Sequence, residues 1–278
     1  SVGIGTWTYS GPGVATFAPN ENDPAATATV DTYGTYIFTW TEDNNGCTDN
    51  SSISVDFHVQ SVANAGNGGD ECDLDFIFNA TPSIGTGIWT STGPGNAFYS
   101  DDTDPAATVT VDTYGAYLFT WTETNGTCIA TDQVSVNFYE QPVADAGNGG
   151  DECDLNFSFS ANPSVGNGIW VQTSGPGSST YILDSDPTTI VTVTQYGTYE
   201  FTWTEVNGTC SSSDVVSVNF YEQPVADAGN GGDECDLDFI FNGSLSSGTG
   251  SWTYSGPGTA NFNDDTDPST AVSVSAYG

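Results

Sequence analysis

From Leu74 to Ala80 the chain alternates, with Leu74, Phe76, Phe78 and Ala80 set against Asp73, Asp75, Ile77 and Asn79. A period of two is that of a strand with one buried face. The same period returns at Ala107–Asp112 (ATVTVD) and at Gln133–Tyr139, where Val134, Val136 and Phe138 share a face. Between these lie Ile88-Trp89-Thr90, Phe98-Tyr99 and Tyr117–Thr122 (YLFTWT), each read as a strand. Val62–Ala65 is read as a further short strand, ahead of a polar loop Gly66–Glu71. Gly93-Pro94-Gly95 predicts a turn, because Pro fixes φ and Gly tolerates positive φ. SDDTDP at Ser100–Pro105 reads as a loop, and Thr124-Asn125-Gly126 as a hairpin turn. About seven short strands and no helical period predict an all-β sandwich of the immunoglobulin kind.

The pattern recurs. Ser135–Leu155 reads SVNFYEQPVADAGNGGDECDL, Ser217–Leu237 reads the same, and Ser54–Leu74 is a looser copy. A period of about 82 residues marks a tandem array. The expected division is the end of one repeat at 1–61, complete repeats at 62–143 and 144–225, and the start of another at 226–278. Ser1-Val2-Gly3 matches Ser83-Ile84-Gly85 and Tyr277-Gly278 matches Tyr114-Gly115, so a longer parent chain is expected, with anchors and export signals outside these residues. Short joints holding Pro142 and Pro224 predict an extended, stiff rod.

Composition narrows the function. The 278 residues include 36 acidic side chains, one His and no Lys, Arg or Met. An average chain of this length carries roughly 30 basic residues. Nothing here can neutralise a phosphate, which excludes nucleic acid and anionic membrane as partners. No apolar run is long enough to span a bilayer. High charge can signal disorder, but aromatic residues are 13% of the chain and recur at fixed repeat positions, which indicates packed cores. The lack of Lys and Arg also removes every trypsin-type cleavage site.

The motifs PVADAGNGGDEC, GTGIWT, SGPG, DSDP with TVTVTQYGTYEFTWTEVNGTC, and a closing SVNF strand resemble repeats of giant cell-surface adhesins of Bacteroidota. The chain is similar to polycystic-kidney-disease-type (PKD-like) and related immunoglobulin-like modules, and to SprB-like gliding-motility adhesins exported by the type IX system. That resemblance implies an extracellular, cell-surface filament with adhesive or structural work. Its partners would be neighbouring repeats and a surface ligand that the sequence does not name.

Six cysteines fall in phase: Cys47, Cys72, Cys128, Cys153, Cys210 and Cys235. An even, periodic set with no CxxC pairing implies disulfides in an oxidising compartment rather than zinc. Pairing within a repeat is the simplest, Cys72–Cys128 and Cys153–Cys210, each closing about 57 residues for roughly 4 kcal/mol. Cys47 and Cys235 would then pair outside these residues. The two cysteines of a repeat could instead sit at opposite poles of a sandwich, too far apart to bridge. A staple across the joint, Cys72–Cys210, is the alternative.

Each joint also gathers acidic residues: Asp70, Glu71, Asp112 and Glu140 from one repeat, Asp145, Asp184, Asp186 and Glu205 from the next. Oxygen-rich loops of this kind hold Ca²⁺ through six to eight ligands, so a Ca²⁺ site at the joints is one expectation. A solvated acidic surface is the other.

No catalytic constellation emerges. His58 has no counterpart in the other repeats and reads as an ordinary strand residue. No basic side chain is present to stabilise an oxyanion. The carboxylates Asp101, Asp102 and Asp104, with partial copies at Asp184, Asp186, Asp264, Asp265 and Asp267, read as a turn device rather than a glycosidase pair. Asn125-Gly126-Thr127 and Asn207-Gly208-Thr209 fit the glycosylation pattern but are explained as turns. A non-enzymatic surface filament is therefore expected. The rivals are a surface-layer or sheath protein and a polysaccharide-binding array built on Trp89, Trp121, Trp170 and Trp203, although each of these lies in an apolar strand and is expected to fill a sandwich core.

Overall fold

A computed structural model describes residues 4–278, in which every regular element is a strand. Residues 62–143 carry seven: Gly69–Glu71, Asp75–Ile77, Thr86–Thr92, Ala97–Tyr99, Thr108–Val111, Gly115–Asn125 and Cys128–Phe138. Four form one sheet in the order Gly69–Glu71, Cys128–Phe138, Gly115–Asn125, Thr86–Thr92. The other three form a second in the order Asp75–Ile77, Thr108–Val111, Ala97–Tyr99. The Gly69–Glu71 strand runs parallel to its neighbour, with Gly69 opposite Val136 and Glu71 opposite Phe138. The remaining pairs are antiparallel. Residues 144–225 repeat the plan with a four-stranded and a three-stranded sheet. This is an array of immunoglobulin-like sandwiches, as the alternation predicts.

Three local expectations change. Val62–Ala65 is irregular, and Gly69–Glu71, read as loop, is the edge strand. The backbone of Ala65 donates to the Asp132 carboxylate (2.9 Å) instead of joining a ladder. The edge strand forms because Gly68 has no side chain: a Cβ there would lie 1.9 Å from the Ser135 carbonyl oxygen. Gly149 stands equally close to Ser217 in the next repeat. The alternating run Leu74–Ala80 is regular only over Asp75–Ile77, after which Phe78 and Ala80 donate irregularly to Ala107 and Pro105.

Each complete repeat has its own aromatic core. Tyr117, Phe119 and Trp121 point inward from the long strand Gly115–Asn125, and Trp121 sits directly opposite Trp89. Phe78, from the facing sheet's side, stacks on Trp89 with ring centroids 3.9 Å apart. Phe159 and Trp170 repeat this at 3.8 Å. Such pairs add about 0.5–1.5 kcal/mol beyond area burial. The Tyr117 hydroxyl donates to the Thr113 carbonyl (3.0 Å), and Tyr199 to Gln195 (3.0 Å). This tyrosine corner is characteristic of immunoglobulin-like sandwiches, and the sequence reading missed it. The motif GTGIWT also gains a reason, since Gly87 lies flat against the Trp121 ring, as Gly168 does against Trp203.

The flanking residues hold parts of the same plan. Residues 4–61 carry a three-stranded and a two-stranded sheet around Tyr36, Phe38 and Ala15. Residues 226–278 carry one three-stranded sheet, with Trp252 stacked on Phe241 at 4.0 Å. The first three residues of the expected 1–61 segment lie outside the described residues. By contacts the chain forms two compact units. The first is the residues up to Gln141 with Gly208–Cys210, and the second is Pro142–Asn207 with Ser211–Gly278.

Close approach at Gly87 is testable. A Cβ there would meet Trp121 Cζ2 at 1.8 Å, whereas one at Gly69 meets nothing within 4 Å. Gly87→Ala is expected to lower stability by about 1–3 kcal/mol through overpacking, and Gly69→Ala to be near neutral. Urea denaturation followed by tryptophan fluorescence measures both. Equal effects of the two would contradict the packing.

Candidate functional site

The joint inside the first unit is built from the segment His58–Val62. It follows the strand Cys47–Phe57 and meets the hairpin that joins Gly115–Asn125 to Cys128–Phe138. The turn glycine Gly126 has φ +63°, and its face is covered by the His58 ring: a Cβ would lie 2.1 Å from the ring. Asn125 Nδ2 donates to the Val59 carbonyl (2.8 Å), and Gln60 Nε2 to the Ile129 carbonyl (3.3 Å). His58 therefore lies just past its strand, seating the next repeat's hairpin rather than serving as a strand residue. Tyr139, at the matching position one repeat later, covers Gly208 in the same way.

A buried carboxylate fixes the chain as it enters each repeat. Glu123 follows Trp121 by two residues, so both face the core, and it is 1% exposed. It accepts from Trp121 Nε1 (3.0 Å), from Ser83 Oγ (2.6 Å) and from the backbone N–H groups of Ser83 and Ile84. Ser83 Oγ in turn accepts from the Val62 N–H (2.8 Å). Glu205, Trp203, Ser164 and Val143 repeat the relay. Burial pushes both carboxyls up. The Ser hydroxyls, the indoles and the backbone N–H groups outweigh it and hold Glu123 and Glu205 below the usual Glu range. The Trp-Thr-Glu spacing was the signal for this relay. Sequence reasoning used Glu205 as a possible Ca²⁺ ligand instead.

Most of the other acidic residues at the joints meet neutral donors, some through the carboxylate and some through the backbone carbonyl. Asn137 Nδ2 donates to Asp70 (2.7 Å), and the Glu71 carbonyl accepts from the Tyr139 N–H (2.8 Å). Asp112 accepts from the side chain and backbone of Asn96, and those bonds hold it below the usual carboxylate range. Asp145 accepts from Gly147 N–H, and the Asp184 carbonyl from Trp170 N–H. Asp186 accepts from the N–H and hydroxyl of Thr188, which lower it likewise. Glu140 also lies at the end of its repeat, two residues past the strand Cys128–Phe138. Asp101 and Asp104 make the same kind of turn, with Thr103 and Ala106. Among the described residues no three of His, Cys, Asp and Glu come together as a set that could hold a metal ion.

The disulfide preferred from sequence is replaced by its alternative. Cys72 is bonded to Cys210, with Cα atoms 5.5 Å apart, and Cys47, Cys128, Cys153 and Cys235 are free thiols. Sheet register gives the reason. Glu71 pairs with Phe138, which puts Cys72 at one end of the strand Cys128–Phe138 and Cys128 at the other. The ten residue steps from Cys128 to Phe138, at about 3.3 Å each, separate them by roughly 33 Å, far beyond the reach of a bridge. Cys153 and Cys210 stand in the same relation, because Glu152 pairs with Phe220. Cys210 instead arrives beside Glu71, its sulfur 3.7 Å from the Glu71 carbonyl oxygen, because Tyr139 seats its hairpin.

Trp89, Trp121, Trp170 and Trp203 are each 1% exposed and belong to the cores, as their apolar strands predict, so they offer no platform to a sugar. No helix among the described residues is long and apolar enough to cross a membrane, which says nothing of β-barrels.

No protein-family description matches the chain, and no curated protein is similar to it in sequence. Three solved structures are among those to which the chain is similar. Titin domains I67–I69, an E-to-A mutated variant, match 78% of this chain and 87% of their own at 15% identity and a TM-score of 0.40. Drosophila OTK extracellular domains 3–5 match 78% and 86% at 8% identity and 0.41. Sidekick-1 immunoglobulin domains 1–5 match 88% and 60% at 12% identity and 0.39.

Two measurements check the site. Alkylation of the folded chain without reductant is expected to modify four cysteines, and six after reduction, with a Cys72–Cys210 linked peptide in the unreduced digest. A Cys72–Cys128 peptide would contradict the register. Glu123 and Glu205 have depressed pKa values, so their contribution is full above the ordinary Glu value near 4.5 and is lost as pH falls through the lowered one. Glu123→Gln is expected to cost about 1–3 kcal/mol at neutral pH, the penalty for breaking a buried charged hydrogen-bond set. The same variant should flatten the fall of melting temperature between pH 5 and 3. An unchanged acid profile would remove Glu123 from the stability of its repeat.

Proposed function

We propose that this chain is a load-bearing, adhesive or structural repeat section of a long extracellular cell-surface filament. It is non-enzymatic, and it resembles the gliding and adhesion proteins of Bacteroidota. The observation that carries this reading is that every repeated motif is absorbed into packing, turns or crosslinking. GTGIWT seats a glycine under tryptophan, and FTWTE supplies the buried carboxylate relay. GNGGDEC builds the edge strand and presents the bonded cysteine. A disulfide persists in oxidising surroundings outside the cytoplasm. The dense negative charge keeps neighbouring filaments soluble and apart. A polysaccharide-binding array is weaker, because its aromatic platforms are buried.

Antibodies raised against the folded chain test the reading on the cells that encode it. Labelling of intact, unpermeabilised cells along thin, separate threads is the expected result in immunoelectron micrographs. Labelling only after lysis would overturn it. A continuous lateral layer would favour the surface-layer alternative.

A further inference from the structure

The Cys72–Cys210 bond spans 138 residues of sequence, about half of the chain. Those residues include six of the seven strands of 62–143 and six of the seven of 144–225. Only Gly69–Glu71, just before Cys72, and Cys210–Phe220, which begins at the second cysteine, lie outside the loop. We propose that this disulfide is a mechanical bypass, carrying tension from Cys72 directly to Cys210 and leaving the enclosed strands unloaded. The proposal rests on the load-bearing reading for its meaning to the cell, but the bypass itself is a property of the chain.

Covalent topology gives the load path. Tension entering from the N-terminal side passes along Gly69–Glu71 to Cys72, crosses the bond, and leaves along Cys210–Phe220. That last strand is already extended over eleven residues. Held at both ends, it has little slack to yield. Its ladder to Gly197–Asn207 therefore joins a taut strand to strands that carry no tension. Without the bond, the same pull runs through every strand of both sandwiches in turn. Hydrogen bonds would then hold the load, each worth about 0.5–1.5 kcal/mol net, where a covalent bond now holds it.

The repeat carries both halves of this device. Cys153 follows Glu152, which pairs with Phe220 as Glu71 pairs with Phe138. Cys128 follows Asn125-Gly126-Thr127 as Cys210 follows Asn207-Gly208-Thr209. The Cys128 sulfur lies 3.9 Å from the His58 carbonyl oxygen, at the end of the preceding repeat's last strand. An array of such repeats would form the same bond from each repeat to the next, and consecutive bypasses would overlap.

Single-molecule pulling of the whole chain from its two ends tests the proposal. At about 3.3–3.6 Å per extended residue, the oxidised chain is expected to release roughly 470 Å less contour length than the chain reduced with dithiothreitol, which converts the bond to two thiols. Cys210→Ser without reductant should release the full length, and Cys128→Ser should behave as the oxidised parent. Equal release from oxidised and reduced chains would overturn the bypass and leave the filament reading standing. Reduced and oxidised chains that both extend with no resolvable force peak would overturn the load-bearing reading, while the difference in contour length still decides the bypass. If Cys210→Ser fails to fold, the comparison of oxidised with reduced parent still decides.

Discussion

Every carboxylate in this protein must be satisfied without a cationic side chain, apart from a single histidine. With 36 acidic residues and no Lys or Arg, ion pairing cannot organise the chain, and neutral donors take its place. The exposed acids accept from backbone N–H groups two residues on, which turns charge into tight loops at Asp101, Asp104, Asp186 and Asp264. The buried acids need more. Glu123 and Glu205 each gather an indole, a hydroxyl and backbone donors, because an ionised carboxylate inside a sandwich is stable only when its oxygens are fully bonded. The net repulsion that remains is screened in salt but still opposes compaction. Aromatic stacking, the tyrosine corner and the crosslink act against it.

How much of this was legible in the sequence depended on whether a feature was local. Alternation placed the strands Thr108–Val111 and Cys128–Phe138, short aromatic runs placed those around Trp89 and within Gly115–Asn125, and the repeated blocks gave the tandem plan. Burial of the tryptophans followed from their apolar neighbours. The edge strand Gly69–Glu71 did not, because a short, polar, glycine-rich segment carries no strand signal of its own. Its pairing comes from Val136–Phe138, far along the chain, and depends on the missing side chain of Gly68. The buried glutamate was half legible. Its two-residue spacing from Trp121 puts it on the core face, but a Glu is ordinarily outside, and that prior hid it.

Disulfide pairing shows the same division. Two cysteines per repeat, in phase, signalled oxidation. Which one meets which is a question of sheet register, and register was not readable from composition. Once Glu71 is opposite Phe138, a partner on the far end of the same long strand is out of reach. A hairpin seated at the near end becomes the only nearby source of a second sulfur among the described residues. The substitution of His58 for Tyr139 at the two seats supports this. Both positions supply a flat ring over a turn glycine, so the seat calls for shape and not for a particular chemistry.

The relay from core to joint has a consequence for how such a repeat works. Val62 is held by Ser83, Ser83 by Glu123, and Glu123 by Trp121, which packs on Trp89. The entry segment of the repeat is thus fixed by the same group that completes the core. Loosening the core would release the joint, and the joint cannot be set without a packed core. The identical relay at Val143, Ser164, Glu205 and Trp203 makes each entry segment as well defined as its own sandwich. One set of hydrogen bonds thus ties the core of each complete repeat to its entry segment.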